Sequence, residues 1–257
     1  MIRLLLEGWA VCAAAQAALW LIAQRTKNAG IVDVGWALTF TLVVTLFGLS
    51  TGHWPPIAIV TIVWSLRLGG YLIARGAATG PEEGRYADLR ARWAPHAAAR
   101  FFVFFQAQAA LTAILASAFV VPFVRAPSCV VLVYAGLALS AIGVLGETVA
   151  DAQLARFKRM HRGQVCDVGL WSWSRHPNYF FEWCVWIGYA VARFAYAHWG
   201  LIALAPQAII LASIFGVTGI PPTEKQALRS KGEAYADYQR RVSRFVPMPP
   251  KRARPSA

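Results

Sequence analysis

The sequence predicts an all-α, polytopic membrane protein with seven transmembrane helices, and three observations carry that prediction. Hydrophobic residues make up 58% of the 257 and charged residues only 14%, against roughly half and a quarter in an ordinary soluble domain. The apolar residues gather into runs near the length of about 20 that a bilayer crossing needs. The basic residues fall in the gaps between those runs, and on alternate sides.

Taken in order, the runs cover 4–22, 31–50, 54–74, 101–124, 129–149, 177–198 and 199–220. The first is longer than the apolar core of a signal peptide and lacks a basic start, so it reads as a retained span. Arg25 and Lys27 follow it; segment 75–100 then carries five basic residues, segment 150–176 five, and the tail from 221 nine. These 21 of 25 basic residues share one side, whereas Arg3 and Arg125 mark the other and Arg67 and Arg193 lie within runs. The excess of basic loops on one side places the tail in the cytoplasm and the N-terminus outside. Residues 1–257 read as a single seven-helix domain without repeats. It has an amphipathic tail helix over about 222–245 and a disordered basic end from about 248.

The net charge of +13 would suit a nucleic-acid binder only if it lay on a solvated face. Here it lies beside apolar runs, where it meets anionic lipid headgroups, so membrane lipids are the expected partners and nucleic acid is not. Cys12, Cys129, Cys166 and Cys184 have no metal or redox spacing and are read as reduced. The five histidines are far apart, so no metal site is expected. No glycine-rich dinucleotide fingerprint, P-loop or nucleophile elbow occurs.

Ionisable groups inside a bilayer cost several kcal/mol unless they are paired or face water. Glu7 and Arg193 fall at outer span ends, where snorkelling accounts for them. Asp33, Arg67, Glu147, Asp151 and Glu182 all lie in the cytoplasmic halves of four spans. They form either interhelical salt bridges or a polar cavity open to the cytoplasm. Glu147 and Asp151 are four residues apart and share a helix face.

Residues 169–182 read Gly-Leu-Trp-Ser-Trp-Ser-Arg-His-Pro-Asn-Tyr-Phe-Phe-Glu. Pro177 suits the first turn of a helix. Arg175 and His176 precede it at the positive end, where a phosphate or carboxylate is favoured, although a cap with an anchoring arginine has the same sequence. Asn178 and Glu182 share a face, and an asparagine amide has both the donor and the acceptor that a carboxamide needs. The tail from Pro221-Pro222-Thr223-Glu224 starts like a helix and places Tyr235 and Tyr238 a turn apart; a helix lying on the lipid surface explains it equally well. Segment 81–90 is either an interfacial helix or a cover over a ligand.

At these residues the chain resembles the membrane steroid 5α-reductase family, most closely its bacterial branch, over about 140–250. The resemblance rests on Arg175-His176-Pro177-Asn178-Tyr179 with Glu182, on Trp186-Ile187-Gly188-Tyr189-Ala190, on Asp151 with Lys158, and on the tail from Glu224 to Pro247. It implies a seven-helix protein of a bacterial inner membrane that binds NADPH from the cytoplasm and reduces a double bond conjugated to a ketone. It further implies that Arg67, Tyr71, Asp151, Lys158, Arg175, Asn178, Glu182 and Glu224 hold the dinucleotide, with His176 and Tyr235 in the same set. Where family members carry a Gln-Glu pair on the second span and a tyrosine on the third, this chain has Ile31-Val32-Asp33-Val34-Gly35-Trp36 and Trp64, which counts against a steroid as substrate.

Enone reduction needs a hydride at the β-carbon and a proton or positive group at the carbonyl oxygen. Asp33, desolvated and held neutral, is the expected acid, assisted by Tyr71; the lipophilic substrate enters from the bilayer. Two other classes remain open. A membrane methyltransferase using S-adenosylmethionine shares the Arg-His-Pro turn and the Glu-to-Tyr tail. A transporter or lipid-binding protein would use the buried charges as a path, although their one-sidedness counts against a through-path.

Overall fold

The computed structural model describes residues 1–196, 204–216 and 219–251. Its regular elements are helices: α1 (Ile2–Thr26), α2 (Ile31–Thr51), α3 (Pro56–Ala74), α4 (Gly84–Arg92), α5 (Ala97–Leu115), α6 (Val130–Met160), α7 (Pro177–Phe194), α8 (Leu204–Phe215), α9 (Ile220–Lys231) and α10 (Glu233–Arg241). Short 3-10 turns follow α5 and precede α7. Among the described residues the only β pairing is an isolated bridge between Ser174 and Ser243. A backbone in hydrocarbon must satisfy its own hydrogen bonds, which is why apolar runs of this length close into helices.

Among the described residues six stretches are long and apolar enough to cross a membrane: Ile2–Thr26, Ile31–Thr51, Pro56–Ala74, Ala97–Ala118, Val130–Met160 and Leu204–Lys231. The chain is an integral membrane protein. Helix α7 is not one of the six, because Asn178, Glu182 and Arg193 dilute its apolar residues. The expected run 177–198 corresponds to α7 as far as Phe194, and its last two residues lie outside the described ones. Of the run 199–220, residues 199–203 and 217–218 lie outside them, and the rest includes α8.

The chain divides into two compact units interleaved in sequence: Met1–Leu137 with Tyr189–Pro206, and Ala138–Gly188 with Gln207–Ala257. In the first, α2 packs against α3, and α1 against α5 and α2. Helix α1 buries Leu4, Gly8, Cys12 and Gln16, four residues apart each time. Ile2, Leu6, Trp9, Leu21 and Ile22 remain exposed, an apolar face that water would not tolerate and lipid does. The interior is aromatic: Phe40 meets Trp64 edge-on at 5.1 Å and Phe119 at 6.2 Å, and Phe119 meets Tyr189 at 6.0 Å. Small hydroxyls join the helices where apolar contact alone would not fix register. Thr41 donates to Ser65 at 2.8 Å, and Ser65 to the Ala37 carbonyl at 2.6 Å.

In the second unit, α6 and α7 approach at backbone distance. A Cβ on Gly143 would stand 2.7 Å from the Val185 amide nitrogen and 2.8 Å from the Phe181 carbonyl oxygen, and the Ser140 hydroxyl donates to the Val185 carbonyl at 3.0 Å. The expected tail helix is broken: Gly232, at φ 54°, ends α9 and starts α10, a conformation glycine adopts at little cost. The expected disordered end is tied back over its first residues. Met248 donates its amide to the Trp173 carbonyl and Lys251 to that of Arg241, both at 2.9 Å; residues 252–257 lie outside the described ones.

Candidate functional site

In the second unit the Arg-His-Pro-Asn turn sits at the start of α7, and the tail folds onto it. Tyr238 of α10 donates to the Trp171 carbonyl at 2.5 Å, Ser174 donates to that of Phe245 at 2.7 Å, and the Arg175 amide bonds the Ser243 carbonyl at 2.8 Å. Arg175 is buried, donating through Nε to Glu224 at 2.8 Å and through Nη1 to the carbonyls of Gln239 and Val242 at 2.6 and 3.1 Å. His176 is 2% exposed, lies 3.2 Å from the same Glu224 oxygen and stacks on Tyr179 at 5.5 Å. Burial pushes the His176 pKa below its ordinary value, although Glu224 pulls the other way. Tyr235 and Tyr238 are buried together, and burial raises both phenol pKa values. Four of the expected cofactor residues, Arg175, His176, Glu224 and Tyr235, thus form the joint between tail and α7. Arg175, His176 and Glu224 spend their polar groups on one another and on backbone carbonyls.

One turn into α7 the character changes. Asn178 donates its amide to Asp151 of α6 at 3.4 Å, and Trp186 donates its indole N–H to Glu182 at 2.8 Å. Glu147, Asp151 and Glu182 are 4%, 3% and 9% exposed. Three buried carboxylates and one amide thus stand on neighbouring turns of α6 and α7, with the Asn178–Asp151 bond joining the two helices. Lys158 and Arg159 stand in the last turn of α6, where a helix C-terminus favours basic groups.

Asp33, Arg67 and Tyr71 belong to the first unit. Asp33 lies in the first turn of α2, where the helix dipole favours an anion. Its two oxygens accept from the Arg85 guanidinium and, at 2.8 Å, from the Tyr86 hydroxyl. Burial, then the Asp33 charge, raises the Tyr86 pKa, so the phenol keeps its proton. Asp33 thus stands between a guanidinium and a phenol that both donate to it. Segment 81–90 contains the helix α4, closed over this corner. Arg90 grips Glu82 through two bonds of 2.9 and 2.7 Å, Glu82 accepts from the Ala29 amide at 2.8 Å, and Asn28 reaches the Ala77 and Gly80 carbonyls at 3.1 and 2.9 Å. Arg67 lies over the Tyr71 ring at 5.5 Å. The sequence reading singled out the segment holding Arg85 and Tyr86 but not their pairing with Asp33; a stranded acid followed by a basic-aromatic pair in the next inner loop is the signal that was available.

Arg193 departs from its expected place at the lipid edge: it is 1% exposed, with Nη1 3.5 Å from the Tyr196 carbonyl. Glu7 does stand at the surface, paired with Arg3 at 2.7 Å. Among the described residues no group of His, Cys, Asp and Glu has a metal-binding arrangement.

Fold and site together define a polytopic α-helical membrane protein with buried carboxylates between two of its helices. Within that class the chain belongs to the family described as "Protein of unknown function (DUF1295)", whose model matches residues 19–242. No curated protein and no solved structure matches it.

Proposed function

We propose that the protein is a seven-span membrane reductase that uses NADPH from the cytoplasmic side to reduce a lipophilic enone. The observation that carries the reading is the set of buried carboxylates Glu147, Asp151 and Glu182 with the half-buried Asn178 on α6 and α7. Buried carboxylates are stable where hydrogen-bond donors answer them. A dinucleotide brings such donors: ribose hydroxyls for the carboxylates, a carboxamide for Asn178, and phosphates for Lys158 and neighbouring basic residues. The residues present fit the group in kind, and Arg175, His176 and Glu224 set the start of α7 on which Asn178 and Glu182 ride.

When bound, NADPH supplies a hydride for the β-carbon of the enone. Asn178 and Glu182 orient the carboxamide end, since hydride transfer depends on ring placement. On the acceptor side the proposed acid is Asp33, assisted by Tyr71. The greasy exterior of α1 and its neighbours suits a substrate that arrives through the bilayer. In this topology α7 is the sixth of seven spans, despite its polar residues, and the tail is cytoplasmic, in the inner membrane of a bacterium.

A second reading has a specific observation behind it. Three buried carboxylates also suit a cationic ligand such as S-adenosylmethionine, whose sulfonium and ammonium groups would meet them directly. Detergent-purified protein given NADPH and a panel of long-chain and cyclic enones separates the two. The reductase reading expects NADPH loss matched by loss of the conjugated double bond, with turnover falling at least ten-fold in Asp33→Asn. Methyl transfer from S-adenosylmethionine to a lipid acceptor, without NADPH oxidation, would overturn it.

A further inference from the structure

The first unit carries a second polar feature, far along the chain from Asp33. A hollow of about 520 Å³ is lined by His53, Arg125, Tyr134 and Tyr196, with proline and valine side chains between them. The first turns of two long helices border it, α3 through Pro55 and Pro56 and α6 through Val130 and Val133, so two positive helix ends point at one place. No acidic residue lines it. Arg125 and His53 are exposed and make no side-chain ion pair among the described residues.

Arg193 does not line the hollow but touches one of its wall residues. Its guanidinium reaches the backbone of Tyr196, whose side chain forms part of the wall. It is 1% exposed, and its buried Nε finds no acceptor among the described residues. The one charge partner it has is the Tyr196 phenol, normally neutral. A buried cation without an anion is costly, and residues 197–203, next in sequence, contain no acid.

We infer that this hollow binds the phosphodiester of an anionic phospholipid headgroup. Arg125 and His53 would meet the phosphate directly, the two helix ends favour its charge, and Arg193, beyond the Tyr196 backbone, adds positive charge nearby. A headgroup fits better than free phosphate. The space exceeds one phosphate several-fold, its walls are mostly apolar, and it opens where membrane helices α3 and α6 begin, at headgroup depth. On the proposed topology this is the face opposite the cytoplasm, and Arg125 is one of only two basic residues expected there. The inference does not depend on the reductase reading.

The test is thermal unfolding of the full chain in an uncharged detergent with dioleoyl phosphatidylglycerol, dioleoyl phosphatidylcholine or inorganic phosphate. Phosphatidylglycerol is expected to raise the unfolding midpoint, with phosphatidylcholine and inorganic phosphate giving little or none of the rise. The double variant His53→Gln, Arg125→Gln, which removes only exposed side chains and leaves the fold in place, should weaken the phosphatidylglycerol response at least ten-fold in concentration. Arg193→Lys, which retains the charge, should keep most of it. An equal response to both lipids, a full response to inorganic phosphate alone, or an undiminished response in the double variant would each overturn the proposal.

Discussion

Arg175, His176 and Glu224 are held together by one carboxylate oxygen, and Glu224 comes from a point 48 residues along the chain from His176. Deleting one partner of such a group leaves another buried and unanswered, which typically costs roughly 3–5 kcal/mol. Glu224→Gln should therefore lower the unfolding midpoint in detergent sharply, and far more than Glu233→Gln, whose ion pair is exposed. A comparable effect from the two would contradict the structural role of Glu224. His176 adds a pH dependence whose direction follows from burial. Its folded pKa lies below the ordinary 6.5, so the unfolded chain binds the proton first. Stability from this residue is full above that ordinary value and is lost as pH falls toward and through the folded one. Unfolding midpoints measured on a descending pH series should drop over that window, and the drop should shrink in His176→Asn. At this scale the sequence revealed which residues matter, because Arg-His-Pro-Asn is a local pattern. It did not reveal their partners: Glu224, Arg85 and Tyr86 are brought in by the folding of distant segments, and no local spacing encodes that.

Between elements, the contact of α6 with α7 depends on Gly143 and Gly146, and the two are not equivalent. A Cβ at Gly143 would press on backbone atoms of α7, whereas one at Gly146 would stand 2.3 Å from the Phe181 ring, a side chain able to turn. Gly143→Ala should thus cost about 1–3 kcal/mol, as overpacking does, and Gly146→Ala less. Thermal unfolding of the two variants checks the order, and a larger loss at Gly146 would show that the helix contact has been misjudged. Because Asn178, Glu182, Glu147 and Asp151 lie on the same pair of helices, the variant that spreads the helices should also lose ligand response. Most helices were legible in the sequence, since a bilayer fixes both their length and their composition. The break at Gly232 was not, because one glycine in an otherwise helical pattern does not announce a turn. The helix over 84–92 was legible only as one of two alternatives, and its grip on Asp33 and Ala29, through Tyr86 and the neighbouring Glu82, was not legible at all.

Over the whole chain, the charge pattern and the helices make one topological prediction. A reporter fused after Lys251 should read as cytoplasmic and one inserted beside Arg125 as external. The same side for both would remove α7 from the set of spans, since α7 is the helix whose composition alone does not mark it as one. What hydropathy could not supply is chemistry. Positive charge on inner loops is common to membrane proteins, whereas three buried acids beside an asparagine are particular to this one, and the central claim is that they help bind a dinucleotide. The most direct measurement is the unfolding midpoint of the purified protein with NADPH and, separately, with S-adenosylmethionine, in the native chain and in Asn178→Leu and Asp151→Asn. A ligand that binds only the folded state raises the midpoint in proportion to its occupancy. The account predicts a rise with NADPH that both substitutions abolish, and none with S-adenosylmethionine; no rise with NADPH, or one that survives both substitutions, would contradict it.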